Sequence, residues 1–143
     1  MVKRRLTPDE TRRIVEAVRA AERGHRGEIV VHFVDRCPGD AVMAAARFFS
    51  TLKRTKEDTA VVLFVAPVDR KVAVFAGEGV YGRQAPDFWK DVTDAVAARA
   101  RSGDVVAGVV DAVAKLGHVL VSAAPGADGA GDELREVSES IEA

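Results

Sequence analysis

The segment Thr59–Gly77 limits what this chain can fold into more than any other stretch. It begins with TAVVLFVAP, a run that is apolar at nearly every position and is typical of a strand buried on both faces of a sheet. The residues VDRK separate it from a second strand-like run, VAVFAG. A linker that short cannot hold a crossover helix, so the two strands are predicted to form an antiparallel hairpin. Helices must then cover both faces of the sheet.

Four helices and one further strand surround this hairpin in the sequence. LTPDETRRIVEAVRAAERG predicts a helix, because Thr7 and Glu10 have the spacing of a capping box. GEIVVHFVD, from Gly27 to Asp35, is a β-branched run that predicts a strand, and DAVMAAARFFSTLKRT predicts the second helix. After the hairpin, PDFWKDVTDAVAARARSG and DVVAGVVDAVAKLGHVLVSAA predict two more helices, the last with Asp104 as its N-cap.

The element order α-β-α-β-β-α-α indicates the fold class. A helix separates the first two strands, so they are expected to run parallel through a right-handed crossover, while the third pairs antiparallel with the second. The prediction is a three-layer α/β/α sandwich with a small mixed sheet and helices on both faces. We expect this domain to cover residues 1–125, and residues 126–143, rich in Gly, Ala and acidic residues, to form a flexible acidic tail.

Composition excludes several classes of partner. The net charge of −1 gives no overall field that favours nucleic acid. The basic residues at the end of the second helix have no aromatic residues between them, so they predict a solvated face; they are Arg47, Lys53, Arg54 and Lys56. The spacing of His25, His32 and His118 does not suit zinc. We therefore expect no nucleic-acid partner and no zinc.

The sequence also predicts a cytoplasmic location. A single cysteine cannot form an intramolecular disulfide, which fits a reducing compartment. The basic start MVKRRL runs into TPDETRR and not into the apolar region of a signal peptide. VVAGVVDAVAKLGHVLVSAA contains Asp111, Lys115 and His118 at helical spacing, which favours a buried helix over one inserted in a membrane.

The stretch FAGEGVYGR has the glycine spacing of a dinucleotide-binding loop, at Gly77, Gly79 and Gly82. In such proteins the loop follows the first strand, whereas here it follows the second strand of a hairpin. Glu78, between the first two glycines, would repel a phosphate. The motif therefore predicts a turn and no nucleotide cofactor. Cys37 lies in a strand-to-helix loop, but Met43 stands where a cysteine phosphatase needs its phosphate-binding arginine, so an ordinary loop thiol is predicted.

Strand direction sorts the polar loop residues between two edges of the sheet. Asp35, Cys37, Asp69 and Arg70 are predicted at the carboxyl edge of the parallel pair. Glu28, Asp58, Gly77, Glu78 and Gly79 are predicted at the opposite edge. There Asp58 and Glu78 could converge on Ca²⁺ or Mg²⁺, with Glu28 and the carbonyl groups of Gly77 and Gly79 completing the shell. The alternative is that these acids are solvated turn residues.

The order and spacing of these segments resemble the TPM-domain family, in a stand-alone soluble bacterial form. LTPDETRRIVEAVRAAERGHRGEIVVHFV, ARFFSTLKRTKEDTAVVLFVAPVDRKVAVFAGEGV and FWKDVTDAVAARARSGDVVAGVVDAVAKLGHVL carry the resemblance, which covers Leu6 to Val121. It implies a small α/β/α sandwich. It also implies three activities found among members, namely acid-phosphatase-like hydrolysis, binding of divalent cations through loop carboxylates, and membrane-associated assembly or repair.

The resemblance leads to one functional expectation and one alternative. We expect a non-catalytic TPM-type domain that binds a protein partner and a divalent cation at Asp58 and Glu78. The alternative is a weak metal-dependent phosphatase that uses the same carboxylates. This branch of the family usually has Asp-x-Gly-Ile-His where Glu78 to Tyr81 stand here, so chemistry that depends on that histidine does not transfer.

Overall fold

The computed structural model describes residues 6–52, 59–126 and 137–140, the last four through their backbone alone. Its elements in chain order are α1 (Pro8–Ala21), β1 (Glu28–Val34), α2 (Ala41–Thr51), β2 (Ala60–Ala66), β3 (Lys71–Ala76), α3 (Glu78–Tyr81), α4 (Pro86–Arg101), α5 (Val105–Ala123) and β4 (Val137–Ser140). This order confirms the predicted pattern, to which the structure adds the one-turn helix α3 and the strand β4.

The sheet has the strand order β3-β2-β1-β4. Strands β1 and β2 are parallel, with Ile29 opposite Val61, and β2 and β3 form the predicted antiparallel hairpin, with Leu63 opposite Val74. Strand β4 runs parallel to β1. Four residues of the segment predicted to be a flexible tail are therefore paired with the sheet, and β3 and β4 are its two edges.

The two faces of the sheet carry two separate apolar cores. Alternate residues of β1, among them Ile29 and Val31, pack under α1, α4 and α5 on one face. Val30 and Val62 face the other way, and α2 covers them through Ala45 and Phe49. Because β2 is fully buried along its length, helices must lie on both sides of it. This arrangement confirms the predicted three-layer sandwich.

Side-chain caps fix where three of the described helices begin, α2 among them through Asp40. Thr7 and Glu10 form the predicted capping box, each side chain accepting from the other's backbone N–H at 3.1 and 3.0 Å. Asp104 accepts from the backbone N–H of Ala107 at 3.2 Å at the start of α5. Helix α5 is long and apolar enough to cross a membrane, but 56% of its most apolar window is buried inside this fold.

The packing of α5 on α1 depends on a residue without a side chain. A Cβ atom placed on Gly117 would lie 2.7 Å from the Cβ atom and from the carbonyl oxygen of Ala21. Real Cβ atoms do not approach backbone that closely, so only glycine allows the two helices their observed separation. The position is therefore fixed by packing and not by backbone conformation.

Candidate functional site

Two of the predicted cation ligands, Glu28 and Gly77, lie in the same row of residues across the sheet. The backbone N–H of Gly77 donates to the carbonyl oxygen of Ala60 at 2.9 Å, and Ala60 lies opposite Glu28 in the register of β1 and β2. Glu28 and Gly77 are therefore two strand spacings apart, about 10 Å between Cα atoms. A side chain would have to bridge that gap for the two residues to share one ion.

The structure places the acids of that edge in different environments. Glu28 is buried, and the alternation along β1 turns it to the face covered by α2. Glu78 is exposed in α3, which packs on the opposite face through Val80. Gly79 is half-buried beside it, and Asp58 lies outside the described residues. Within residues 6–52 and 59–126 no group of three His, Cys, Asp or Glu could hold a metal ion. The predicted set, which needs Asp58, stays a prediction.

At the opposite edge, predicted to collect Asp35, Cys37, Asp69 and Arg70, hydrogen bonds join Cys37 and Asp69 to Arg36 and Lys71. Asp69 accepts from the backbone N–H of Cys37 at 2.7 Å and from the guanidinium of Arg36 at 3.1 Å. The ammonium group of Lys71 donates to the carbonyl oxygens of Cys37 and Gly39, both at 2.7 Å. These bonds fasten the β2–β3 turn to the β1–α2 loop. Cys37 itself is buried.

Asp35, at the end of β1, is also buried at this edge. Neither of its carboxylate oxygens makes a hydrogen bond within the part of the chain that the structure describes. Asp35 therefore takes no part in the hydrogen bonds around Asp69, although both residues were predicted at the same edge of the sheet.

The glycine motif forms the start of a short helix. Gly77 is the N-cap of α3, and its carbonyl oxygen accepts from the backbone N–H groups of Val80 and Tyr81, each at 3.0 Å. Gly82 ends the helix with φ of −73°, an ordinary right-handed value. The two bonds to Gly77 close the single turn of α3. The absence of a nucleotide cofactor stays a prediction.

Strand β3 presents along its outer edge backbone groups that no described residue pairs with. The bond from Gly77 to Ala60 makes them a hydrogen-bonded pair, and in an antiparallel ladder such pairs recur at every second residue. Phe75 and Ala73 therefore bond to β2. The N–H and C=O groups of Val72, Val74 and Ala76 point away from the sheet.

A groove of about 740 Å³ follows this edge. It is lined by Val72–Ala76 of β3, by Val42 of α2 on one face and by Trp89 and Thr93 of α4 on the other. Since residues from helices on both faces line one groove together with the strand, the edge between them is uncovered. We call this surface the β3 edge groove.

The β3 edge groove has an apolar wall and a charged rim. Val42 and Tyr81, two of the four exposed large hydrophobic residues in the described chain, lie in it. Tyr81 stacks on Trp89 with 5.4 Å between ring centroids, and the indole N–H donates to the carbonyl oxygen of Tyr81 at 3.3 Å. Lys90, at the rim, donates to Asp94 at 2.7 Å, and this hydrogen bond raises the pKa of the lysine.

Opposite charges stand at the two ends of β3. Arg70 precedes the strand in the left-handed conformation, with φ of 57°, and Glu78 follows it. Both side chains are exposed, and neither makes a hydrogen bond or ion pair with any described residue. A second groove, of about 850 Å³, begins at Val72 and continues past Arg70 to Arg101 at the end of α4.

The sequence patterns do not indicate the outward-facing groups of β3. The predicted hairpin made β3 the last strand of the predicted sheet, and that position was a signal for an open edge. The sequence did not indicate which residues of β3 bond to β2 and which face outward, because the residues on both faces of the strand are at least half-buried. Trp89 carries the remaining signal, as a large aromatic residue at the start of a helix beside this edge.

Comparison with known proteins relates the chain to one family and to two solved structures. The model of the TPM domain matches residues 3–119. The solution structure of the BA42 protein from the psychrophilic bacterium Bizionia argentinensis is 28% identical, has a TM-score of 0.83 and covers 98% of this chain and 99% of its own. The N-terminal domain of the cg2496 protein from Corynebacterium glutamicum is 12% identical, with a TM-score of 0.65 over 87% of this chain and 80% of its own. No curated protein matches the chain at a significant level.

Proposed function

The chain belongs to the TPM-domain family, and on that basis we propose that it is a non-catalytic interaction domain that binds an extended protein segment at the β3 edge groove. The observation that carries this proposal is the outward-facing backbone of Val72, Val74 and Ala76. An extended segment can add to such an edge as a further strand, and the main-chain hydrogen bonds supply affinity.

The walls of the groove support strand addition over other modes of binding. An added strand turns alternate side chains to the two faces of the sheet. On one face these side chains would meet Trp89 and Thr93, and on the other they would meet Val42. Tryptophan and tyrosine are among the residues that contribute most at the centre of an interface, and Trp89 and Tyr81 both line this groove. The groove thus offers both the backbone pairing and the apolar contacts that an extended segment needs.

A proline substitution distinguishes backbone pairing from non-specific apolar binding in the groove. Val74→Pro removes one outward-facing N–H and leaves the bonds from Ala73 and Phe75 to β2 in place. Extended peptides would be selected from a random library on the wild-type chain and their affinities compared between variants. Val74→Thr, which keeps the N–H and the β-branch, is the matched control. We expect Val74→Pro to lose at least tenfold in affinity while Val74→Thr keeps it. Peptides that bind both variants equally would contradict strand addition.

A divalent cation, Ca²⁺ or Mg²⁺, is the second ligand that we propose, at Asp58 and Glu78. It is supported by the exposed carboxylate of Glu78, which no described residue engages and which two glycines flank. Hydrolysis of a phosphate ester by the same carboxylates and their metal is the alternative function. Both depend on Asp58 and Glu78, so one pair of substitutions tests them together.

A further inference from the structure

We infer that the segment that binds at the β3 edge groove is β3 of a second copy of this chain, running antiparallel about a twofold axis at Val74. This inference rests on the proposed function, because it uses the same open edge. It names the partner and the register, which the proposed function leaves open.

Backbone pairing allows only a few registers. The outward-facing groups belong to Val72, Val74 and Ala76, so these residues must face one another across the interface. With Val74 opposite Val74 of the second copy, Val72 lies opposite Ala76 on both sides of the axis. Each facing pair then exchanges two N–H···O bonds. The next register that still matches outward-facing groups is shifted by two residues. It has one facing pair fewer.

Charge selects the register centred on Val74. This register brings the start of β3 in one copy, which Arg70 precedes, beside the end of β3 in the other copy, where Glu78 begins α3, once at each end of the paired strands. Arg70 and Glu78 are exposed and have no partner among the described residues. Each neighbouring register shifts these two strand ends by two residues relative to each other. Opposite charges that meet across an interface favour the pairing and its register, whereas like charges oppose it.

The same charges disfavour a parallel arrangement. Two β3 strands in parallel would place Arg70 beside Arg70 and Glu78 beside Glu78, so each end would carry repulsion. Pairing β3 with the β4 edge of another copy would leave one edge free at each end of the assembly, which extends unless its rotation closes a ring. The antiparallel β3 pair closes after two copies, because the surface that each copy presents is complementary to itself.

The apolar residues of the groove fit this arrangement. On the face of α4, Val74 meets Val74 of the second copy, a β-branched pair of the kind that packs well between strands. On the face of α2, Phe75 lies beside Ala73 of the second copy, so a large residue faces a small one. Val42 and Tyr81, exposed in the single chain, border these contacts on the two faces.

Charge complementation tests the inference on the full chain. We would measure association by analytical ultracentrifugation over a concentration series, with EDTA present so that no cation competes for Glu78. The variants are Arg70→Asp, Glu78→Arg, the two single variants mixed in equal amounts, and the double variant. Aspartate is chosen at position 70 because it enters the left-handed conformation more readily than glutamate does. Melting curves of each variant confirm that it is folded.

The expected pattern is specific to a twofold axis at Val74. Each single variant alone should associate at least tenfold more weakly than wild type, because like charges then face each other at both ends. The mixture should recover association, since the aspartate introduced at position 70 of one variant faces the arginine introduced at position 78 of the other. At the other end of the same pair, the unchanged Arg70 faces the unchanged Glu78. The double variant should recover association as well. Single variants that associate as wild type does would overturn the register.

A monomeric wild-type chain would overturn the inference itself. If that chain still binds selected peptides and loses them on Val74→Pro substitution, the proposed function stands and only the second copy is wrong as the partner. If neither association nor peptide binding occurs, both fail together.

Discussion

The backbone N–H of Gly77 donates to the carbonyl oxygen of Ala60 at 2.9 Å. This bond sets the phase of the whole β2–β3 ladder, because hydrogen-bonded pairs alternate with non-bonded pairs in antiparallel strands. It therefore decides which amides of β3 stabilise the hairpin and which face the open edge. The functional proposal depends on that phase.

Proline substitutions along β3 test the phase directly. Ala73→Pro removes an N–H that bonds to Phe64, and we expect it to cost at least about 1–3 kcal/mol in the free energy of unfolding, because a buried carbonyl loses its donor. Val74→Pro removes only an outward-facing N–H, so its cost should be clearly smaller. Urea denaturation of both variants measures the difference. Equal costs would mean that the phase is wrong.

The contact between α1 and α5 should tolerate no side chain at Gly117. Gly117→Ala forces a Cβ atom against the backbone of Ala21, and we expect a loss of about 1–3 kcal/mol, as for other overpacked positions. Gly39→Ala is the control, because a Cβ atom at Gly39 would meet nothing within 4 Å. Thermal unfolding of the two variants should separate them by several degrees. A Gly117→Ala variant as stable as the control would contradict the close approach.

The network around Asp69 should contribute more to stability than an exposed ion pair does. Asp69→Ala leaves the backbone N–H of Cys37 without its acceptor, and a loss of about 1–3 kcal/mol is expected. The control is Asp111→Ala, which removes only the exposed ion pair with Arg99 at 3.1 Å and should cost less than about 1 kcal/mol. Chemical denaturation gives both values. The prediction is refuted if the order of the two losses is reversed.

The proposed cation site predicts a melting temperature that depends on Ca²⁺. An ion that binds only the folded chain raises the melting temperature by linkage, and Asp58→Ala together with Glu78→Ala should abolish the rise. Asp111→Ala, which removes an exposed acid of α5 that does not line the β3 edge groove, should leave the rise intact. A wild-type melting temperature that neither Ca²⁺ nor Mg²⁺ changes would contradict the proposed cation site. Hydrolysis of a generic phosphate ester that the double variant loses would favour the phosphatase instead.

Much of the fold was predictable because the elements carry strong local patterns. The apolar run of β2 and the short VDRK link indicated a central strand and a hairpin, and the Thr7–Glu10 spacing indicated the start of α1. The parallel pairing of β1 and β2 followed from the helix between them. Each of these features is decided by residues close together in the chain.

The elements that were missed depend on contacts that the sequence does not display. The segment VSES has a single apolar residue, and it becomes β4 only through pairing with the backbone of β1. Helix α3 was predicted as a turn. It has only four residues, and Gly77 before it has no side chain that could mark the start of a helix. Sequence placed Cys37 and Asp69 at one edge, but the bond between them depends on the conformation of two loops.

Amide hydrogen exchange of Val74 measures most directly whether the β3 edge is a binding surface. In the dilute chain the N–H of Val74 faces solvent and should exchange much faster than those of Ala73 and Phe75, which bond to β2. As concentration rises, or when a selected peptide is added, Val72, Val74 and Ala76 should become protected together while Ala73 and Phe75 change little. If the outward-facing amides exchange at the same rate under every condition, the β3 edge is not where this chain binds its partner.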